Sequence, residues 1–387
     1  MQIIEFDHIE MCVQDILEAT QLYSTRFGLQ PIAEAGPETG LAGRRSVVLA
    51  QGRAQLVLTS ALGSEGPIAE YVSLHGDGVR DVALLVDDAA AAYHEAVARG
   101  ARPVLEPTVW KDGRSRVVKA TIAAFGDVVH SFIQRDGVPD APFMSHYRPI
   151  GGPRSTRDDR FAAMDHMAIC LPTGALDATV AFYREILDFT ITHQEKLCIG
   201  ATGMNSAAVQ HGDVRLVMQE PIAGREGGQI AEFLSCHGGP GIQHVALLTD
   251  SILESLEWLQ ERDISFLETP SAYYDMLSER VGTIDEDLAL LRQLGVLVDK
   301  DEWGYLLQVF TRSLHEKQTL FFELIQRKAA RGFGSANIRA LFEAVELESE
   351  RNGPRSHTRL KGGHPAQSAN SRTIPPLNMS TPCDLSA

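Results

Sequence analysis

Apolar and polar residues alternate along Ser46 to Leu49, Gln55 to Thr59, Ala207 to His211 and Arg215 to Gln219, the period of two expected of half-buried strands. Between such runs the period lengthens. Asp15 to Phe27, Asp87 to Arg99, Leu176 to Leu187 and Asp250 to Arg262 read as helices. Near the end, Ile338, Leu341, Phe342 and Val345 fall at i, i+3, i+4 and i+7, which predicts a last helix capped by Asn337, with one face buried against the body. From Gly353 to Ala387 the chain is rich in Pro, Gly, Ser and Asn without an apolar period, so a disordered tail is expected.

The same order of elements occurs twice. Phe6-Asp7-His8-Ile9-Glu10 opens a strand-like run followed by a helical one, and Met164-Asp165-His166-Met167-Ala168 does the same. His75-Gly76-Asp77-Gly78-Val79-Arg80-Asp81-Val82-Ala83 corresponds to the stretch from His237 to Ala246 with one residue inserted, and Phe132-Ile133-Gln134-Arg135 matches Leu324-Ile325-Gln326-Arg327. Three matched blocks in one order imply a duplicated domain. Each half holds two units of strand, helix and several short strands, which cannot close a sheet alone. Paired, they give a curved sheet able to enclose a cavity, so the expected class is α+β with barrel-like, largely antiparallel sheets. The Gly/Pro/Arg-rich stretch from Tyr147 to Asp159 marks the boundary. The expected organisation is a first domain over 1–147, a linker over 148–160, a second domain with its terminal helix over 161–352, and the tail.

Composition narrows the function classes. The 387 residues, 44% hydrophobic and 22% charged, suit a soluble protein of two domains. A formal net charge of −16 would repel a phosphate backbone, so nucleic acid is not an expected partner. No basic start precedes an apolar stretch and no apolar run reaches membrane-spanning length, so no membrane association and a cytoplasmic location are expected. The five cysteines form no CxxC pair, which favours buried reduced thiols over a disulfide framework or a zinc ribbon.

The repeat permits a comparison inside one chain. His166 corresponds to His8, His244 to Asp81 and Glu323 to Ser131, so the second half alone keeps His, His and Glu together. All three sit in strand-like segments among apolar neighbours, where a carboxylate needs compensation. Two imidazoles and one carboxylate on one face of a metal leave open positions opposite, which suits Fe(II), dioxygen and a chelating substrate. Zinc accepts the same donors, but no HExxH motif supplies the base of a zinc hydrolase. Singly, each histidine could be a hydrogen-bonded core residue, and Glu323 could pair with Arg327.

Gly241-Ile242-Gln243-His244-Val245-Ala246-Leu247, Leu306-Leu307-Gln308-Val309-Phe310-Thr311, Phe321-Phe322-Glu323-Leu324-Ile325-Gln326-Arg327 and Gly332-Phe333-Gly334-Ser335-Ala336-Asn337 resemble the 4-hydroxyphenylpyruvate dioxygenase family. The resemblance covers residues 5 to 350 in motif order. It implies two tandem domains of the vicinal oxygen chelate fold, each of paired βαβββ units in a curved mixed sheet, with a C-terminal lid helix. It implies Fe(II) on His166, His244 and Glu323, and a 2-oxo acid and dioxygen as small-molecule partners. Ser206, Gln229, Gln243 and Gln308 would surround the substrate as neutral hydrogen-bonding groups, and Phe310, Phe321 and Phe333 as apolar walls. Asn337 and Ile338 would lie on the lid.

Within that family, ring-hydroxylating members give homogentisate and 4-hydroxymandelate synthases oxidise the benzylic carbon. The runs Ala272-Tyr273-Tyr274-Asp275 and Phe333 to Glu348 look closer to the synthases, as do His75 to Val79 and Gly126 to His130. Ile338 stands where ring-hydroxylating members usually place Phe and synthases Ile. Gln219 departs from both patterns and leaves the choice of 2-oxo acid open. The degenerate first half is available for packing or for the subunit contacts of a homodimer.

Overall fold

The computed structural model describes residues 1–111, 115–137, 143–151, 156, 159–199, 201–225 and 228–341. The expected tail and most of the Gly/Pro/Arg-rich stretch lie outside them. The chain divides into two compact units, Met1–Ser265 with Phe310–Gln326, and Phe266–Val309 with the chain from Arg327 onward. Among the described residues no helix is long and apolar enough to cross a membrane.

The first half runs β1 (Ile3–Cys12), α1 (Ile16–Arg26), β2 (Gln30–Ala35), β3 (Arg44–Gln51), β4 (Ala54–Ala61), α2 (Pro67–His75), β5 (Gly78–Val86), α3 (Ala89–Ala98), β6 (Pro103–Lys111), β7 (Ser115–Ala123), β8 (Val129–Gly137) and the short β9 (Arg148–Pro149). Its sheet is ordered β6-β7-β8-β5-β1-β4-β3-β2-β9. β1 is parallel to β4 and antiparallel to β5, and β5 is parallel to β8. Two βαβββ units therefore meet along β1 and β5. The other neighbouring pairs of this sheet are antiparallel, so it is largely antiparallel as expected, and the two parallel pairs arise because each unit's first strand is joined through its helix to a meander that returns beside it.

The second half repeats this with β10 (Ala163–Cys170), α4 (Leu176–Leu187), β11 (Thr190–Ile199), β12 (Thr202–His211), β13 (Val214–Pro221), α5 (Gly228–His237), β14 (Gly241–Leu248) and α6 (Ile252–Gln260). The chain then contributes to the smaller unit α7 (Ser271–Asp275), α8 (Leu277–Val281), α9 (Leu288–Leu294), β15 (Leu297–Lys300) and β16 (Tyr305–Phe310), and returns as β17 (Phe321–Lys328). In the larger unit the strands run β11-β12-β13-β10-β14-β17, with β10 parallel to β13 and β14 parallel to β17.

Local sequence sets the helix ends. Asp15 accepts hydrogen bonds from the amides of Leu17 and Glu18, and Asp88 from that of Ala91, satisfying donors that a helix start leaves open. The last helix departs from expectation. Residues 335–341 are helical, so Asn337 stands inside the first turn rather than before it. Its side chain is buried among polar partners, described below, which removes it from capping.

The halves clasp each other through equivalent turns. Gly52, between β3 and β4, has φ +56°, and a Cβ there would fall 2.1 Å from the Phe161 carbonyl oxygen. Gly212, between β12 and β13, has φ +57°, and its Cβ would fall 2.4 Å from the Ile3 carbonyl oxygen. Only glycine fits such close backbone approach in a left-handed conformation. The following amides complete the clasp, Arg53 donating to Ala162 and Asp213 to Ile4, each at 2.8 Å. Beneath them Tyr23 meets His315 and Tyr183 meets His130, each pair at 2.9 Å. Cys12 and Cys170 are buried free thiols as expected, whereas Cys198 is a free thiol that is exposed.

Candidate metal centre

The three candidate ligands are placed by sheet register. On adjacent strands, His166 of β10 pairs with Ala246 of β14, and Ala246 pairs with Glu323 of β17. Side chains in such a row share a face, and so does His244, two residues before Ala246. Because Ala246 carries only a methyl group, the flanking His166 and Glu323 can converge above it. Nε2 of His166 lies 3.2 Å and Nε2 of His244 3.5 Å from Oε2 of Glu323. One ligand atom from each residue lies within 4.8 Å of the others.

Two register shifts aim the neighbours. One falls between Met164 and His166, leaving Asp165 as the extra residue of β10; the other lets Ala168 face His244 and Ile169 face Ile242, leaving Gln243 as the extra residue of β14. Asp165 can thereby reach the ring of its own neighbour, with Oδ1 2.8 Å from Nδ1 of His166. That contact fixes Nδ1 as the protonated nitrogen and turns Nε2 toward Glu323. His244 is oriented by rings instead, stacked on Phe321 at 5.1 Å and edge-on to Phe310 at 5.6 Å.

The electrostatics call for a cation. Glu323 is 1% exposed, and a buried carboxylate is costly unless compensated. Burial by itself lowers the pKa of His166, but the Glu323 and Asp165 carboxylates outweigh it and raise it to about 9. Burial, then the charge of His166, pushes His244 well below its ordinary value. Nδ1 of His244 is buried without a hydrogen-bond partner among the described residues. Two imidazoles and a carboxylate with convergent ligand atoms fit a divalent ion of the Fe(II) kind, which would neutralise Glu323 and leave positions open on the far side.

The other candidates fall in two places. In the larger unit Ser206 of β12 pairs in register with Gln219 of β13, whose Nε2 lies 3.5 Å from Oε1 of Gln243, and all three are buried. Phe310 and Phe321 are the rings against His244. Gln229 is on α5 with an exposed side chain, apart from this group. In the smaller unit Asn337 donates through Nδ2 to Oε1 of Gln308 at 3.3 Å. Its Oδ1 lies 2.7 Å from the Tyr273 hydroxyl and accepts from Nη2 of Arg280 at 3.1 Å. Phe333 and Ile338 are half-buried there. Arg327, the alternative partner for Glu323, donates to the carbonyls of Ala330 and Gly332.

Sequence reasoning did not assign Asp165, Tyr273 or Arg280 to this machinery. For Asp165 a signal existed, because the Asp-His dipeptide recurs at Asp7-His8, where Oδ1 of Asp7 lies 2.6 Å from Nδ1 of His8.

Comparisons with known proteins agree with this geometry. Models of the glyoxalase/bleomycin resistance protein/dioxygenase superfamily match residues 163–309 and residues 7–118, one in each half. A probable 4-hydroxyphenylpyruvate dioxygenase 2 of Aspergillus fumigatus is 36% identical over 90% of this chain and 95% of its own length. The 4-hydroxyphenylpyruvate dioxygenase of Dictyostelium discoideum is 35% identical over 90% and 99%. The solved structure of a triple mutant of 4-hydroxymandelate synthase from Streptomyces coelicolor is 39% identical with TM-score 0.78, covering 90% of this chain and 99% of that one. The tandem βαβββ halves, the His-His-Glu cluster and full-length relatives lead to one conclusion: the chain belongs to the 4-hydroxyphenylpyruvate dioxygenase family and is an enzyme of its 2-oxo acid dioxygenase type.

Proposed function

We propose that the chain is an Fe(II)-dependent oxygenase that oxidatively decarboxylates 4-hydroxyphenylpyruvate with dioxygen and hydroxylates its benzylic carbon, giving 4-hydroxymandelate. The convergence of His166, His244 and Glu323 carries the metal-dependent part of this reading. Bound iron would supply a chelation site for the 2-oxo acid and activation of dioxygen. The chain's own groups orient the substrate. Gln243, Gln219 and Ser206 offer neutral hydrogen-bonding atoms, which suit a phenol and an oxo acid without adding charge. Phe310 and Phe321 hold the His244 ring and present apolar surface that disfavours water. Placement is the main task, since an error of about 1 Å can cost roughly a hundredfold in rate.

Benzylic rather than ring oxidation is supported by the 39% identity to the Streptomyces coelicolor synthase and by Ile338. The second reading, formation of homogentisate, is favoured by the relatives bearing the dioxygenase name at 31–36% identity. Incubation with Fe(II), ascorbate, dioxygen and 4-hydroxyphenylpyruvate, followed by product analysis, separates them. 4-Hydroxymandelate as main product is expected; homogentisate would replace the first reading with the second. Absence of dioxygen uptake with any of a panel of aryl and alkyl 2-oxo acids would leave a binding protein of the same fold.

A further inference from the structure

The first half encloses a cavity of about 250 Å³ at the place the repeat makes equivalent to the metal centre. Its chemistry is different. Asp81, standing where the second half has His244, accepts from the amide of Ser131 at 3.0 Å, from its hydroxyl, and from the ammonium of Lys119 at 3.1 Å. Burial opposes the charge on Lys119, but Asp81 and Glu10 more than restore it. An ammonium group thus neutralises the carboxylate where the other half has a metal-type donor set. Glu10 is satisfied as well, accepting from the Thr59 hydroxyl at 2.6 Å and lying 3.5 Å from Arg44.

These pairs cancel, and Arg80 remains. Register places it: Glu10 faces Asp81 and Met11 faces Val79, so Arg80 is the extra residue of β5, as Gln243 is of β14. The same bulge that presents a neutral amide in the second half presents a guanidinium here, lining the cavity and half-buried. Among the described residues no carboxylate lies within 4.0 Å of it, whereas Lys119 and Arg44 each have one. The lining also includes the rings of Trp110, Phe143 and Tyr147, the last two edge to face at 5.0 Å, with the Arg135 guanidinium over Phe143 at 4.9 Å.

One uncompensated cation together with an aromatic lining, in a volume just under the range of drug-sized sites, selects one kind of occupant. We propose that the first-half cavity is a second, metal-free ligand site for a small aromatic monocarboxylate, its carboxylate on Arg80 and its ring against Trp110 and Phe143. The planar guanidinium matches a carboxylate with paired charge-assisted hydrogen bonds, and the rings supply edge or face contacts. The site does not depend on the reaction assigned to the second half.

The test uses the full chain, with phenylacetate as probe because it lacks the keto group needed to chelate a metal. Calorimetry and ligand-observed NMR are run on the unaltered protein, on Arg80→Gln, which copies Gln243, and on His244→Ala. Expected are saturable binding of phenylacetate, weakening of roughly tenfold or more in Arg80→Gln, and no change in His244→Ala. Trp110→Leu, on the wall rather than in the ion-pair network, should weaken binding also and serves if Arg80→Gln fails to fold. The proposal falls if phenylacetate does not bind, if binding survives both first-half substitutions, if His244→Ala abolishes it, or if acetate binds equally well.

Discussion

His75 and His237 stack face to face, with ring centroids 4.2 Å apart, planes inclined by 22°, and Nδ1 of His75 2.7 Å from the backbone carbonyl of His237. The two histidines are counterparts in the repeat, so the pseudo-symmetry of the larger unit brings like onto like. Phe233 stacks on His237 at 5.0 Å, and Tyr71 lies tilted against His75 at 4.5 Å. Burial first, then the neighbouring His75 ring, lowers the pKa of His237 from 6.5 to about 4. Its folded value lies below its unfolded one, so folding favours the neutral ring. The contribution is fully present above pH 6.5 and is lost as pH falls toward 4. His130, also lowered by burial, acts in the same direction. Stability measured by denaturant should therefore decline between pH 6.5 and 4, with His237 accounting for at most about 3 kcal/mol. His237→Gln should flatten that decline; an unaltered slope would remove His237 as its source.

Gly334 and Gln308 are matched within the smaller unit. With φ +85°, Gly334 would place a Cβ 1.7 Å from Oε1 of Gln308, the atom that accepts from Asn337. Gly334→Ala must displace the Gln308 amide and is strained in its own backbone. If Gln308 positions substrate, the variant should lose roughly ten- to a hundredfold in kcat/KM while retaining bound iron. Normal kinetics with full iron content would exclude that role for Gln308.

Legibility in the sequence followed periodicity. The duplicated halves were readable because strand alternation, helix period and the Asp-His dipeptide recur in order, and the triad stood out because Asp81 and Ser131 replace two ligands in the first half. The mixed character of the sheets is implied by the family resemblance and not by alternation, which reports which faces are buried and not which strand lies beside which. Asn337 fits the usual capping pattern, Asn before an apolar period, yet stands inside the helix. Its partners Tyr273 and Arg280 lie far away in sequence, and only tertiary contact makes it a buried hydrogen-bonding residue. Gln229 is implied by family resemblance alone, and its exposed place on α5 follows from helix phase.

Asp165 is expected to act through His166 and not on substrate. Replacing it by Asn keeps the shape but removes the negative charge that holds Nδ1–H, so the His166 ring loses orientation and basicity. Carboxylates in this position typically contribute ten- to a hundredfold in metal affinity. Chelator competition should show Asp165→Asn binding iron weaker by that factor, whereas Glu323→Gln, which removes a ligand, should abolish stable binding. Equal affinity in Asp165→Asn and the unaltered protein would make the 2.8 Å contact structural only.

Ile338 bears on where oxygen is delivered. The two reactions of the family share substrate, metal and decarboxylation, and diverge only in which carbon meets the oxidant, so a side chain that shifts the ring can change the product without changing metal binding. Ile338 is half-buried in the 335–341 helix, so a larger residue has room to be accommodated there by adjustment rather than by unfolding. Ile338→Phe should move the product from 4-hydroxymandelate toward homogentisate, read as a ratio by chromatography, with iron content unchanged. Ile338→Leu, which conserves volume, should leave the ratio where it was. A ratio identical in all three proteins would reduce Ile338 to a packing residue and return the choice of product to the groups around Gln219.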